Sequence, residues 1–135
     1  MTAPVRTGGG AAAYLREEVL TATPLRLVVR VLAGAIAACD RARAAAETER
    51  AIDWRRDLGK AQVLVAELYG AVDAEQGGVI AAKLQALYQF VLSRLLIAGA
   101  RPSPARARQA AHVLSQIKLG FEQLVARESD DAPRP

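Results

Sequence analysis

From Pro24 onward the apolar residues keep to steps of three and four. Leu27, Val28, Val31, Leu32, Ala35, Ala38, Cys39 and Ala42 fall on one side of a helix over about 24–46. A second helix, about 50–74, carries Leu58, Ala61, Val65, Leu68, Tyr69 and Val72 on one side. Gln62 lies inside that stripe, while Val63 and Leu64 widen it. A third, about 79–98, shows Ile80, Leu84, Leu87, Tyr88, Val91, Leu95 and Ala98, with Phe90, Leu92 and Leu96 off the main line. The fourth, about 104–127, has Ala107, Ala110, Leu114, Ile117, Phe121 and Leu124, the spacing of a coiled seam. No stretch alternates with period two over a useful length, and no turn dipeptide separates β-branched runs. Four amphipathic helices with short connections predict an all-α fold, an antiparallel up-down four-helix bundle.

The punctuation between helices is uneven. Thr23 can accept from a free N–H of the first turn, and Pro24 suits the first helical position, where its missing N–H costs nothing. Ser103-Pro104 repeats that start. Gly77-Gly78 is the clearest break and reads as a tight helix–helix turn, and Gly99 with Pro102 behind it fits a helix end. The connection near Thr48 carries no Gly or Pro. Residues 1–13 read as a flexible Gly-rich leader, 14–127 as a single bundle domain and 128–135 as a polar, frayed tail. Residues 14–20 suit either a short helix or an extended strap. Trp54, flanked by Asp53, Arg55 and Arg56, is expected to be partly exposed.

Composition sharpens this picture at a few points. Aromatics make up only 4% of the 135 residues, so closely spaced helices are expected rather than bulky layers. The single cysteine, Cys39, excludes an intrachain disulfide and sits on a buried face, where packing is the expected role. The first ten residues hold no apolar signal core, and Val31–Cys39, the longest uncharged tract of the first helix, is far short of a membrane span. A cytoplasmic protein without membrane insertion is expected. The net charge of +4 arises from arginines interleaved with acids, plus a local run of Arg101, Arg106 and Arg108. Without stacking aromatics that run reads as a solvated face, not a nucleic-acid surface.

Candidate chemistry is sparse. His112 is the one histidine, so a triad or a zinc site lacks its partners. Asp73 and Glu75 beside Gly77-Gly78 suit turn and capping roles. No Glu-x-x-His is present for a di-iron site, and Gly8-Gly9-Gly10 lacks the lysine of a phosphate loop. The expectation is no enzyme, no catalytic residue, no metal and no cofactor. What remains is surplus apolar surface at Val63, Leu64, Phe90, Leu92 and Leu96. It suits a wide core, a dimer face or a groove for a partner's amphipathic helix.

Two blocks of residues resemble a known family. Tyr14, Val19, Thr21-Ala22-Thr23-Pro24, Leu27 and Gly34-Ala35-Ile36 are similar to the opening of the flagellar secretion chaperones, the FliS family. Lys60-Ala61-Gln62, Glu67-Leu68, Asp73, Glu75-x-Gly77-Gly78, Ile80-Ala81, Leu84, Leu87-Tyr88 and Arg94-Leu95 follow its central pattern in order. The likeness covers roughly residues 14–124. Thr23 stands where the family often has Ser, Leu32 where it usually has an aromatic, Gly99 in place of Asn and Phe121 in place of Trp. The resemblance implies a cytosolic export chaperone that binds the disordered C-terminal segment of flagellin. It would prevent premature polymerisation and assist delivery to the flagellar type III export apparatus. A co-chaperone or regulator is a further implied partner. It also implies a client groove formed by Gln62, Val65, Leu68, Ile80, Leu84, Leu87 and Tyr88. By the same analogy Tyr14 forms a displaceable lid, with Val19 and Thr21 anchoring its base. The alternative is a self-associating structural or regulatory bundle with no flagellin client.

Overall fold

The computed structural model describes residues 24–131. They form four helices: α1 (Pro24–Glu47), α2 (Ala51–Gly70), α3 (Ala74–Gly99) and α4 (Pro104–Asp131). No strand occurs among the described residues. The connections are three or four residues long, so successive helices must run antiparallel and side by side. Each helix packs on two others, α1 on α2 and α4, and α3 on α2 and α4, which closes the bundle into a ring. The contacts of α1 are the more extensive, and α3 is the more loosely held.

Long-range hydrogen bonds and ion pairs fix the register. At one end Arg26 donates to Ser129 Oγ at 3.1 Å, and at the other Arg108 approaches Glu47 at 3.8 Å. These tie the two ends of α1 to opposite ends of α4. Gln62 donates to the Leu95 carbonyl at 3.3 Å, and Gln89 to the Tyr69 hydroxyl at 2.9 Å, which does the same for α2 and α3.

Small residues set the spacing around α1. Ala35, Ala38, Ala42 and Ala45 are fully or almost fully buried, as are Ala61 of α2 and Ala107 and Ala110 of α4. With a methyl group as the whole side chain, neighbouring axes can lie near the lower end of the roughly 8–10 Å range for packed helices. Larger groups fill the layers between: Leu27, Leu32, Leu58, Val65, Tyr88, Val91, Leu95 and Leu114. Cys39 is one of them, and burial with the nearby Asp40 charge raises its thiol pKa to about 12. It is an uncharged packing group at neutral pH.

Local chemistry explains the helix ends. At the start of α4, Ser103 Oγ accepts from the Arg106 backbone N–H at 3.3 Å, the expected cap, with Pro104 as the first helical residue. The end of α1 is a Schellman turn. Arg50 N–H donates to Ala45 O at 2.9 Å and Glu49 N–H to Ala46 O at 3.3 Å, with Glu49 at φ 57°. Glycine normally occupies that left-handed position, and its absence is why the connection carries so little sequence signal.

Three expectations are corrected. Trp54 is buried, with 1% of its surface exposed, because it lies one turn before Leu58 on the buried stripe while Arg55 and Arg56 point outward. The helix–helix turn lies at Ala71–Asp73, ahead of the glycine pair. Gly77-Gly78 sits inside α3 and bends it, with Gly78 at φ 56°, ψ −131°. The fourth helix runs to Asp131 rather than fraying after 127, since no Gly or Pro interrupts it there and Arg26 holds Ser129. The expected leader and its Thr23 cap lie outside the described residues.

Among the described residues one charged group is buried. Asp57 of α2 faces Arg41 of α1 at 3.4 Å and Arg56 at 3.6 Å. Both arginines keep much of their surface in water, so the pair orients α2 against α1 without stranding a charge.

Candidate functional site

Helix α3 has no polar face comparable to those of its neighbours. Ala81, Tyr88, Val91, Leu95 and Ala98 form its buried side. Yet Val79 is 71% exposed, Ile80 78% and Leu96 67%, and Leu87, Phe90 and Ile97 are each exposed over more than a third of their surface. A helix apolar all round is normally enclosed by protein or lipid. The segment Gly77–Gly99 meets the length and composition of a membrane span, with mean hydropathy 1.3, but it is one wall of a bundle whose other three helices are amphipathic. Its uncovered side carries six of the exposed large hydrophobic residues, Val79, Ile80, Leu87, Phe90, Leu96 and Ile97.

Two flanks of that side can be distinguished. Gln89, bonded to Tyr69, marks the flank toward α2, which also carries Leu96. The opposite flank borders α4. There Phe90 lines a hollow of about 530 Å³ with Ala105, Arg108, Gln109, His112 and Val113. The Arg94 guanidinium carbon lies 4.9 Å from the centre of the Phe90 ring. Ile80 and Leu87, seven residues apart, extend the apolar flank toward Gly78. A second hollow, about 360 Å³, lies between Arg26, Val29 and Arg30 of α1 and Glu122 and Val125 of α4. It sits at the end of the bundle where α1 begins.

The structure divides the groove residues named from sequence. Val65, Leu68 and Tyr88 are core residues, exposed by 2% or less. Burial raises the Tyr88 phenol above its ordinary pKa, so it stays protonated. Gln62 and Leu84 lie at the edge of the core, half-buried. Ile80 and Leu87 are on the surface. A partner lying along α3 meets the last two first, then Leu84. Tyr14, Val19 and Thr21 lie outside the described residues.

Val79, Ile97 and Val113 carry the surface as well, and sequence reasoning did not single them out. The available signal was the run Val79–Ile97 itself, which holds only two charged residues, Lys83 and Arg94. Among the described residues no group of three or more His, Cys, Asp or Glu could hold a metal ion.

The comparisons with known proteins agree in direction. Residues 8–128 match the family model described as flagellar protein FliS. The chain is 30% identical over 128 residues to the flagellar secretion chaperone FliS of Salmonella typhimurium, covering 91% of this chain and 95% of that one. It is 28% identical over 108 residues to the flagellar secretion chaperone FliSB of Pseudomonas aeruginosa, covering 80% and 86%. With the Vibrio cholerae FliS the identity is 26% over 108 residues, covering 80% and 79%.

Proposed function

The chain belongs to the FliS family of flagellar secretion chaperones, and from that premise we propose that it is a cytoplasmic export chaperone for flagellin. Its client is the disordered C-terminal segment of the filament subunit. By holding that segment it prevents premature polymerisation and delivers the subunit to the flagellar type III export apparatus, where a co-chaperone or regulator can share the surface.

The uncovered side of α3 carries this reading. A filament subunit's terminal segment has an apolar face that is satisfied only on assembly, so free in the cell it seeks other copies. The uncovered apolar side of α3 gives it a surface on which to fold. Ile80, Leu84 and Leu87 supply contacts, and Gln62 borders them. Val65, Leu68 and Tyr88 support the surface from beneath. The ordering entropy paid on binding lowers affinity per unit area, which suits a client that must be released. Tyr14 acts as a displaceable lid anchored through Val19 and Thr21.

The test is calorimetric titration with a peptide of about 40 residues from the C-terminus of the same organism's flagellin, long enough to wrap several helices. Saturable one-to-one binding, a negative heat-capacity change and a gain of helical dichroism are expected. No heat from a folded sample, together with a stable dimer in size-exclusion chromatography, would replace this reading with self-association through α3.

A further inference from the structure

The cations of this bundle gather at one end. Residues 48–50 join α1 to α2 and residues 100–103 join α3 to α4, and the approach of Arg108 to Glu47 at 3.8 Å shows that both connections lie at the same end. Arg50, Arg55, Arg56, Arg101 and Arg108 are exposed there. Glu47 is shared by Arg43 and Arg108, and Asp53 by Arg50 and Arg56. The other acids nearby are Glu49, which is exposed, and Asp57, buried against Arg56. Arg55 and Arg101 have no ion pair among the described residues. The opposite end shows no such excess. There the first turns of α1 and the last of α4 set Arg26, Arg30 and Arg127 against Glu128, Asp130 and Asp131, and the connection carries Asp73.

Between these arginines the end is apolar. Ile52, in the first turn of α2, is 82% exposed, the most of any large hydrophobic residue described. Ala51, Ala100, Pro102 and Ala105 are exposed around the two connections. A shallow hollow of about 480 Å³ beside Ile52 is lined also by Arg50, Ala51 and Asp53. Groups that would hold water are few. Pro102 and Pro104 lack an N–H, and the two hydroxyls of the connections are used internally. Thr48 Oγ1 donates to the Ala44 carbonyl at 3.0 Å, and Ser103 Oγ accepts from the Arg106 N–H at 3.3 Å.

We infer that this end of the bundle docks on the surface of an anionic phospholipid bilayer, with Ile52 entering the headgroup boundary and Arg50, Arg55, Arg56, Arg101 and Arg108 against the lipid phosphates. The contact is superficial and no segment crosses the bilayer. A projecting apolar side chain and a cluster of cations are the two signals that together hold a protein on such a surface, while each alone is weak. The inference goes beyond the chaperone reading, and in this orientation Ile80, near the opposite end of the bundle, stays clear of the lipid. A nucleic acid would want a free aromatic ring for its bases, and the tryptophan at this end, Trp54, is only 1% exposed. An acidic protein would need a recess to fix its side chains, whereas Ile52 projects and a fluid headgroup layer yields to it.

The experiment is flotation of the full chain with vesicles of phosphatidylcholine alone or mixed equally with phosphatidylglycerol. Binding to the mixed vesicles only is expected, falling severalfold between about 0.05 M and about 0.5 M salt as the charges are screened. Arg55→Gln and Arg101→Gln each weaken it about fivefold, the scale of one cation at an anionic surface. Ile52→Ser weakens it as well, and Arg127→Gln, exposed toward the other end, leaves it unchanged. All four side chains are exposed and outside any ion pair, so the fold survives each change. Orientation is read with an environment-sensitive dye on Ile52→Cys or Ile80→Cys, since Cys39 is buried and does not take the label. The mixed vesicles shift the emission to the blue at position 52 and leave it in place at position 80. Equal binding to the two kinds of vesicle, binding to neither, full binding by the Arg55→Gln, Arg101→Gln double variant, or a shift at position 80 instead of 52 each overturns the inference. So does arginine-dependent binding of polyglutamate or of a single-stranded oligonucleotide by protein that ignores the vesicles. None of these readouts involves flagellin, so the chaperone reading stands or falls separately.

Discussion

The side-chain amide of Gln62 donates to the backbone carbonyl of Leu95, 3.3 Å away across the α2–α3 interface. A polar residue inside an apolar stripe thus has a defined partner, the second lone pair of a helical carbonyl. Replacing Gln62 by Ala removes a half-buried hydrogen bond and a long side chain. The expected loss is about 1 kcal/mol, read as a lower urea midpoint with an unchanged slope.

Core and surface members of the predicted groove should separate cleanly. Leu68→Ala removes a buried side chain and is expected to cost about 2–5 kcal/mol. Ile80→Ala, at a largely exposed position, should stay within about 0.5 kcal/mol of the parent while weakening flagellin binding. Paired denaturation and titration of the two variants checks this contrast.

Glu49 occupies a left-handed position at the end of α1. Glu49→Gly relieves a Cβ–carbonyl conflict of about 1–2 kcal/mol and gives back part of it as unfolded-chain entropy. The net expectation is a gain of roughly 0.5–1 kcal/mol in thermal or urea unfolding.

The reverse holds at the bend of α3. At Gly78, φ 56° with ψ −131° is a conformation that only glycine adopts readily, so Gly78→Ala is expected to cost about 1–3 kcal/mol. At Gly77 an added Cβ would lie 2.5 Å from the Ala81 Cβ, and two backbone-anchored methyl groups cannot both remain there. Gly77→Ala should therefore shift α3 itself, visible as changed amide chemical shifts along the Val79–Phe90 stretch.

Alkaline pH tests the buried thiol. The Cys39 pKa is about 12 in the folded chain against the ordinary value of 9.0, and Tyr88 moves the same way from 10.0. The unfolded chain therefore releases these protons first. Stability attributable to them is complete below about pH 9 and declines as pH rises from there toward 12. Urea midpoints at pH 8 and 10.5 should show the decline, with a shallower slope in Cys39→Ala. Alkylation by iodoacetamide at pH 8 should track unfolding.

Legibility in the sequence followed contrast. Helix α1 sets alanine and leucine against arginine and aspartate, and its extent emerged within a residue of Pro24–Glu47. Trp54 was misplaced because its charged neighbours outweighed its four-residue step to Leu58, although the step governs which way a side chain points. Ala71–Asp73 carries only Asp73 as a turn signal, so the glycine pair just beyond it took the role of the break. In α3 the ambiguity is physical. Where nearly every position is apolar, period cannot tell Tyr88, which is enclosed, from Leu87, which is not. The family likeness supplied a list of contacts, and only packing against α2 and α4 sorted that list into support and surface.

The alanine spine of α1 has a consequence for how such a protein can diversify. Where the inner side chains of α1 are single methyl groups, at Ala35, Ala38, Ala42 and Ala45, enlargement is poorly tolerated, because each added carbon must push against the neighbouring helices. Lineages are thus constrained along α1, while the outer positions of α3 can drift in size and shape at little risk to the scaffold. Specificity for one partner sequence over another can change by substitution on that single helix, with the body that presents it left intact.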